Sequence, residues 1–472
     1  MIQGTRSLII VAVLLAFVAS AWAADVSAVQ GEATYKEAPK FDVAKKTVAF
    51  GGVEYKWADL IGLKLRAALD QPKSGYKIFS RNGDILYADI VTAQQADGAA
   101  TIVLKIKSAF LGPEAAFVST NNAAGVQSLN PKVYREIALR RLQRQANAAT
   151  FRKIDFNGKP MDADDLQKLF EKEPDKFAEE GKKDFARVSA LLEGLMLNKE
   201  NWDFDFYYGI DNDKSQKHGV IQGIAPNLDV TFVTKAGSKY GPTNLYDMVG
   251  VSFKAVNKPT GFGDKPYVKV IGAHGDVITG EIAGEKDGMI AVKTDVNDVI
   301  VRVAESEISE MVFRNGDFTF LSDLPDGAVK AVEYPEFCAP DTTKNDSFPW
   351  QRDRSTMDGR PPLKLNGRIY HKGIGVHSFS DLTFNIGGEY KKFKATVGID
   401  DDVPGKPGGN VTFEIRGDGK ILFAKTTVKS GDKPLAIAVD VSGVKSLEII
   451  VDFGEGGHQN DHCDIVNAIL VK

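Results

Sequence analysis

The chain reads as a mainly β, multi-domain protein. Its 45 glycines and 43% apolar content favour short strands and turns over long helices. Two blocks of β-patterned sequence echo each other: Asp59-Leu-Ile-Gly-Leu63 returns 188 residues later as Asp247-Met-Val-Gly-Val251, and Gly83-Asp-Ile-Leu-Tyr-Ala-Asp-Ile90 returns 192 residues later as Gly275-Asp-Val-Ile-Thr-Gly-Glu-Ile282. Between the blocks the apolar period changes from two residues to that of a helix.

In chain order, residues 1–23 read as a signal peptide. Arg6 precedes an apolar run, Leu8 to Val18, and Ala21-Trp22-Ala23 offers the small residues a signal peptidase needs. The run is short for a membrane span, although an uncleaved anchor is the alternative. No other long apolar run follows, so an exported protein is expected, periplasmic, surface-bound or secreted, without a membrane span after cleavage. With 59 basic and 63 acidic residues the net charge is −4. That balance gives no sign of a nucleic-acid-binding surface.

Residues 24–46 show little periodicity and are expected as a leader. Each echoing block is followed by an Asp-Gly pair, Asp97-Gly98 or Asp287-Gly288, suited to a hairpin turn, and then by another apolar strand. A duplicated small β module results, copy one over 47–130 and copy two, with preceding strands, over 201–325. Gly275 and Gly280 suit strands that bend, and the pattern resembles small Sm-like or SH3-like barrels. That resemblance carries no function; a spacer or protein-contact role fits an acidic exported chain better than RNA binding.

A helical segment, 131–200, separates the copies. Pro131 suits a first helical turn, and Val133, Tyr134, Ile137, Ala138, Leu142 and Ala146 share one face. Arg135, Arg140, Arg141 and Arg144 make a basic side, read either as a contact for an acidic polymer or as a solvated face. A second helical region, Met161 to Leu197, should divide at Pro174. After it, Trp202, Phe204, Phe206, Tyr207 and Tyr208 among Asp203 and Asp205 argue a strand with one buried face. Asp211-Asn-Asp213 has part of a calcium-loop pattern, but lacks its glycine and distal glutamate and reads as a polar turn.

The last segment is the most specific. Trp350, Ser355, Asp358-Gly359, Pro362 to Gly367, Gly373-Ile-Gly-Val-His-Ser378, Lys394 to Asp401, Val411-Thr-Phe413, Asp418 to Phe423, Val439 to Val444 and Asp461-His-Cys-Asp464 follow in order. Over 334–472 this resembles the NPCBM family, the carbohydrate-binding-type module first noted beside family 98 glycoside hydrolases. The resemblance implies a jelly-roll β-sandwich of the galactose-binding-like type with a sugar-binding role, and the whole arrangement looks like exported planctomycete proteins that carry this domain C-terminally.

A sugar site needs an aromatic platform ringed by fixed polar groups. Trp350, Tyr370, His377, Phe379, His462 and Asp464 are the candidates, with a structural role for His377 the alternative. Asp400, Asp401 and Asp402 repel one another unless solvated or bound to a cation; the resemblance to galactose-binding-like sandwiches implies a structural calcium there, with a solvated acidic turn the alternative. Zinc on His377, His462, Cys463 and Asp464 is a competing idea without diagnostic spacing. The only two cysteines, Cys338 and Cys463, lie near the two ends of this domain and would pair in an oxidising compartment.

The expected function is therefore non-catalytic glycan recognition, with protein partners for the N-terminal modules. One alternative is a glycoside hydrolase or its accessory subunit; the other is a surface scaffold that contacts proteins. Against catalysis stand the lack of strand–helix alternation for a barrel and the absence of a GxSxG elbow, an HExxH helix or a P-loop.

Overall fold

The computed structural model of the protein describes residues 24–29, 31–95, 101–201, 203, 205–210, 217–263, 265–333, 348–357, 361–403, 408–455 and 457–472. The expected signal peptide, Trp202, Phe204, Asp211 to Asp213, Cys338 and Asp358-Gly359 lie outside them.

Four small β modules share one plan. In the first, β1 (Ala24–Ala28) pairs with β2 (Gly31–Tyr35) and with β6 (Leu60–Lys64), while β3 (Lys40–Asp42), β4 (Thr47–Phe50) and β5 (Val53–Lys56) form a ladder of their own. In the second, β7 (Tyr76–Ser80) pairs with β8 (Ile85–Gln95) and β11 (Ala123–Ser128). A register shift between Ile90 and Thr92 bends β8 into a ladder with β9 (Ile102–Lys107) and β10 (Ala116–Ser119). The third contains β14 (Asp205–Tyr208), β15 (Lys217–Ile224), β16 (Asp229–Thr234), β17 (Lys239–Asn244) and β18 (Gly250–Ser252), and β18 returns to β14. The fourth contains β19 (Tyr267–Gly272), β20 (Val277–Lys286), β21 (Met289–Lys293), β22 (Ile300–Ala304) and β23 (Ile308–Arg314), and β23 returns to β19.

Each first strand thus pairs with the second and the last strand of its module, and in modules two to four a bent second strand leads to the third and fourth, the order expected of Sm- or SH3-like modules. The expected barrels do not close. The last strands pair between modules instead, β6 with β23 and β11 with β18, so edges a barrel would seal are sealed by a neighbour.

Two expectations are corrected. Residues 24–46 are not a leader: they form β1 to β3, an alanine-containing first strand too weakly patterned to stand out. The echoing blocks also mark different strands. Asp59 to Leu63 and Asp247 to Val251 lead into the last strands of modules one and three, whereas Gly83 to Ile90 and Gly275 to Ile282 hold the second strands of modules two and four. The duplicated unit is therefore a pair of modules, related by a local two-fold where Ile85 of β8 meets Val277 of β20. Around that axis Thr279 N–H donates to Asp84 Oδ2 (2.9 Å) and Tyr87 N–H donates to Asp276 Oδ1 (2.7 Å).

The helical insertion has three helices, α1 (Pro131–Ala148), α2 (Ala163–Lys172) and α3 (Ala178–Leu197), with a hairpin of β12 (Ile154–Phe156) and β13 (Lys159–Met161) between the first two. Pro174 opens the short 3-10 turn that divides α2 from α3. Asn130 caps α1 by accepting from Lys132 N–H. The basic side of α1 is paired rather than free: Arg141 bonds Glu180 and Asp184, Arg135 bonds Asp175 and Arg140 bonds Glu136. Phe206 and Tyr208 of β14 pack against α1 and α3 while Tyr207 enters the module core, so this strand is buried on both faces rather than one. Among the described residues no helix is long and apolar enough to cross a membrane.

The last unit is a β-sandwich. One sheet runs β26 (Gln351–Arg352), β29 (Gly373–His377), β36 (His462–Val471), β31 (Lys392–Ile399) and β34 (Leu435–Asp440), with β24 (Phe318–Phe320) also on β36. The other runs β25 (Val329–Glu333), β30 (Ser380–Asn385), β35 (Ser446–Phe453), β32 (Asn410–Gly417) and β33 (Lys420–Lys429). Alternate residues of both, among them Phe384, Phe393, Phe413, Ile449 and Ile465, fill the core between them. A hairpin of β27 (Leu363–Leu365) and β28 (Arg368–Tyr370) lies over the outer face of the first sheet. β24 and β25 extend the sandwich to before residue 334. Phe318, Phe320 and Ile469 pack on Ile61 of β6, joining it to module one.

Candidate functional site

His377 ends β29 and His462 begins β36, directly opposite each other in the antiparallel ladder. Opposed residues project to one face, which brings the rings to 4.8 Å. Phe348 stacks on His377 at 5.0 Å and meets His462 edge-on at 4.8 Å, while His458 stands 5.9 Å from His377.

The two inner imidazoles are 2% and 6% exposed for His377 and His462. His377 Nδ1 donates to Ser378 O at 2.6 Å, and His462 Nδ1 lies 2.8 Å from Thr356 Oγ1. Burial holds both rings down at about 4, so each is neutral near pH 7. Ser378 Oγ donates to Asp461 Oδ2 (2.6 Å), Asn410 N–H donates to Asp461 Oδ1 (2.8 Å), and Ser380 Oγ donates to His377 O (2.6 Å). These bonds fix the strand end and its following turn. Half-buried Phe348 and His458 complete a rigid aromatic and imidazole group over this floor.

The other expected site residues divide around this group. Half-buried Phe379 follows it in the chain. Trp350 is half-buried at the edge of the sandwich core, its N–H donating to Glu333 Oε1 (2.7 Å) and Arg352 lying over its ring at 5.2 Å. Tyr370 is elsewhere: it packs with Leu363, Leu365 and Val466 and lines a narrow cleft facing Ser27, Ile61 and Glu310 of the modules. It precedes β29 at the end opposite His377, roughly 15 Å away along a five-residue strand.

Asp464 is buried beneath the β27–β28 hairpin. Gly375 and Gly398 face it from the adjoining strands, and a side chain at Gly375 would come within 2.3 Å of Arg354 O. Its Oδ2 accepts from Lys364 N–H (2.8 Å), and its carboxyl meets that of Asp400. Burial, then the negative charge of Asp400, push Asp464 well above the usual carboxylate range.

Asp401 turns away to accept from Asn366 and Gly367 N–H, and Asp402 pairs with Lys364 Nζ at 3.0 Å. The three adjacent aspartates thus go to three different partners. Strand alternation also sends Cys463 into the sandwich core, away from His462 and Asp464. Among the described residues no group of three or more His, Cys, Asp or Glu side chains is placed to hold a metal ion.

Phe348 and Thr356 were not singled out from sequence, and Asp461 only as the start of the Asp461-His-Cys-Asp464 motif. The available signal was Phe348-Pro-Trp350, an aromatic pair around a proline, and the polar run ending at His462.

Comparison with known proteins adds to this. A Renibacterium salmoninarum protein provisionally named endo-alpha-N-acetylgalactosaminidase is 34% identical over 116 residues, 25% of this chain and 8% of that relative's length. This chain therefore spans a small part of the curated relative it matches. Among solved structures, the CBM51 of Clostridium perfringens GH95 in complex with methyl-galactose is 24% identical, with TM-score 0.27, over 33% of this chain and 99% of that one. CBM51-2 with the INT domains of C. perfringens ZmpB, in complex with GlcNAc, is 22% identical, with TM-score 0.28, over 41% and 40% of the two chains. The family model described as NPCBM/NEW2 domain matches residues 334–471, so the sandwich that carries the histidine group belongs to the NPCBM/NEW2 family.

Proposed function

We propose that the protein is an exported, non-catalytic carbohydrate-binding protein whose sandwich recognises a glycan at the Phe348, His377, His458 and His462 group. The observation that carries this is the aromatic and imidazole cluster at one end of a domain of the NPCBM/NEW2 family. A pyranose offers an apolar C–H face and a ring of hydroxyls. Phe348 supplies a surface for the first, and neutral imidazoles act as donor or acceptor for the second without the desolvation cost of a charge. The Renibacterium relative is named as a glycosidase, but the two chains share only a module-sized stretch, and binding rather than cleavage is what we carry over.

The test is a glycan-array screen of the full chain, with calcium added or chelated, beside Phe348→Ala and His458→Ala. Selective glycan binding that falls at least about tenfold in both variants, with folding unchanged, is expected. Failure of the folded protein to bind any glycan, or binding indifferent to both substitutions, refutes the assignment. Loss of binding on chelation alone would place a structural cation in the domain.

A further inference from the structure

The two-fold that relates modules two and four is broken at one place. The segment between β9 and β10 reaches into module four, where buried Phe110 lies against Gly272 and Asp276; any side chain at Gly272 would meet its ring at 2.9 Å. The matching segment between β21 and β22 reaches back to module two, and there the corresponding residue is Val296. Its neighbour Asp295 still makes the crossing, accepting from Asn82 Nδ2 at 2.9 Å. A valine where the sister module receives a phenylalanine leaves space. A cavity of about 490 Å³ opens in the unclosed side of module two, walled by Ile78, Leu86, Val118, Ile278, Val296 and Val301. Phe117, 64% exposed, and Ile300, 56% exposed, stand at its mouth.

Asp84 contributes to the inner wall. It is almost fully buried, and its Oδ2 accepts from Asn82 Nδ2 and from Thr279 N–H, but its Oδ1 has no hydrogen-bond partner. Lys269 acts on it only weakly against the effect of burial. The cavity therefore has the size of a small-molecule site and mainly apolar walls, with Glu114 and Arg302 in its polar lining and one under-compensated buried carboxylate, that of Asp84, in its wall. A negative charge behind low-dielectric walls attracts a cation more strongly than it would in water.

We propose that this cavity binds a small apolar cation, a primary alkyl- or arylammonium ligand, with its hydrocarbon part between β8, β10 and β22 and its ammonium end toward Asp84. The probes are hexylammonium and phenethylammonium, titrated calorimetrically into the full chain beside hexanol and hexanoate. Both ammonium probes should bind at least tenfold more tightly than hexanol, and hexanoate should not bind. Asp84→Asn, which keeps an acceptor for Thr279 N–H, should weaken ammonium binding at least tenfold. Val296→Phe, which copies the plug of the sister module, should abolish binding of every probe and raise the unfolding temperature. Hexanol or hexanoate binding as tightly as the ammonium probes, unchanged affinity in Asp84→Asn, or no ammonium binding up to about 10 mM overturns the proposal.

Discussion

A fragment cut at the start of the family match, 334–472, should fold far less stably than one cut at 316–472. The shorter piece loses β24 and β25. Phe318, Phe320 and Leu321 are all buried, each worth about 1.5–3 kcal/mol. Phe318 and Phe320 rest partly on Ile61 of module one, absent from both fragments, so roughly half of their share is lost in either case. What remains is about 3–6 kcal/mol, before counting the five-residue ladder of β25 with β30 and the Glu333 carboxylate that accepts from Trp350 N–H and Ser380 Oγ. A domain of this size has about 5–15 kcal/mol in total. At roughly 2–4 °C per kcal/mol, the unfolding midpoint of 334–472 should lie about 10 °C or more below that of 316–472. Thermal unfolding followed by near-ultraviolet circular dichroism measures this directly. Midpoints within about 2 °C of each other would show that the sandwich does not depend on the two strands, and the packing argument would fail.

Acid should act with opposite sign on two buried groups. His377 and His462 are held at about 4, below the 6.5 of an unfolded histidine, so their contribution is present above pH 6.5 and is lost as pH falls towards 4; at pH 5 each forfeits about 2 kcal/mol. Urea unfolding of the wild type and His377→Gln at pH 7 and pH 5 should show the gap between them shrinking, and a constant gap would refute it. Asp276 is raised by burial from 3.8 to about 6, so its contribution is fully present below pH 3.8 and lost as pH rises through 6. Asp276→Asn keeps an acceptor for Tyr87 N–H and should flatten the pH dependence of module unfolding between pH 4 and 7; an unchanged slope would count against the burial argument. Gly375→Ala should cost about 1–3 kcal/mol, read as a lowered urea midpoint, because the added methyl meets the Arg354 carbonyl rather than a movable side chain.

The strand patterns of the modules were legible, but their grouping was not. Asp59 to Leu63 and Gly83 to Ile90 belong to different modules, and the two matched offsets, 188 and 192, differ because each reports a separate partner pair. The last strand of a module pairs with its own module's first strand and also with another module's last strand, and pairing at such range leaves no local signature. Val26 alternates too weakly with its alanine and serine neighbours to announce β1.

The candidate site divides along the same line. His377 and His462 stand out as histidines bounding apolar strands, and the ladder explains why they meet: residues 85 positions apart become direct neighbours once β29 and β36 pair. Tyr370 sits only seven residues from His377, yet the intervening strand carries it to the module interface. Closeness in sequence is misleading along a strand and informative across one. Asp400 and Asp464 make the same point. Three adjacent aspartates suggested one cation, but the turn after β31 sends their side chains to different partners, and the carboxyl that acts on Asp400 comes from a strand more than sixty residues away. Phe348 was missed because its role depends on stacking over a ring that belongs to a distant strand, a contact that the Phe348-Pro-Trp350 pattern signals only weakly.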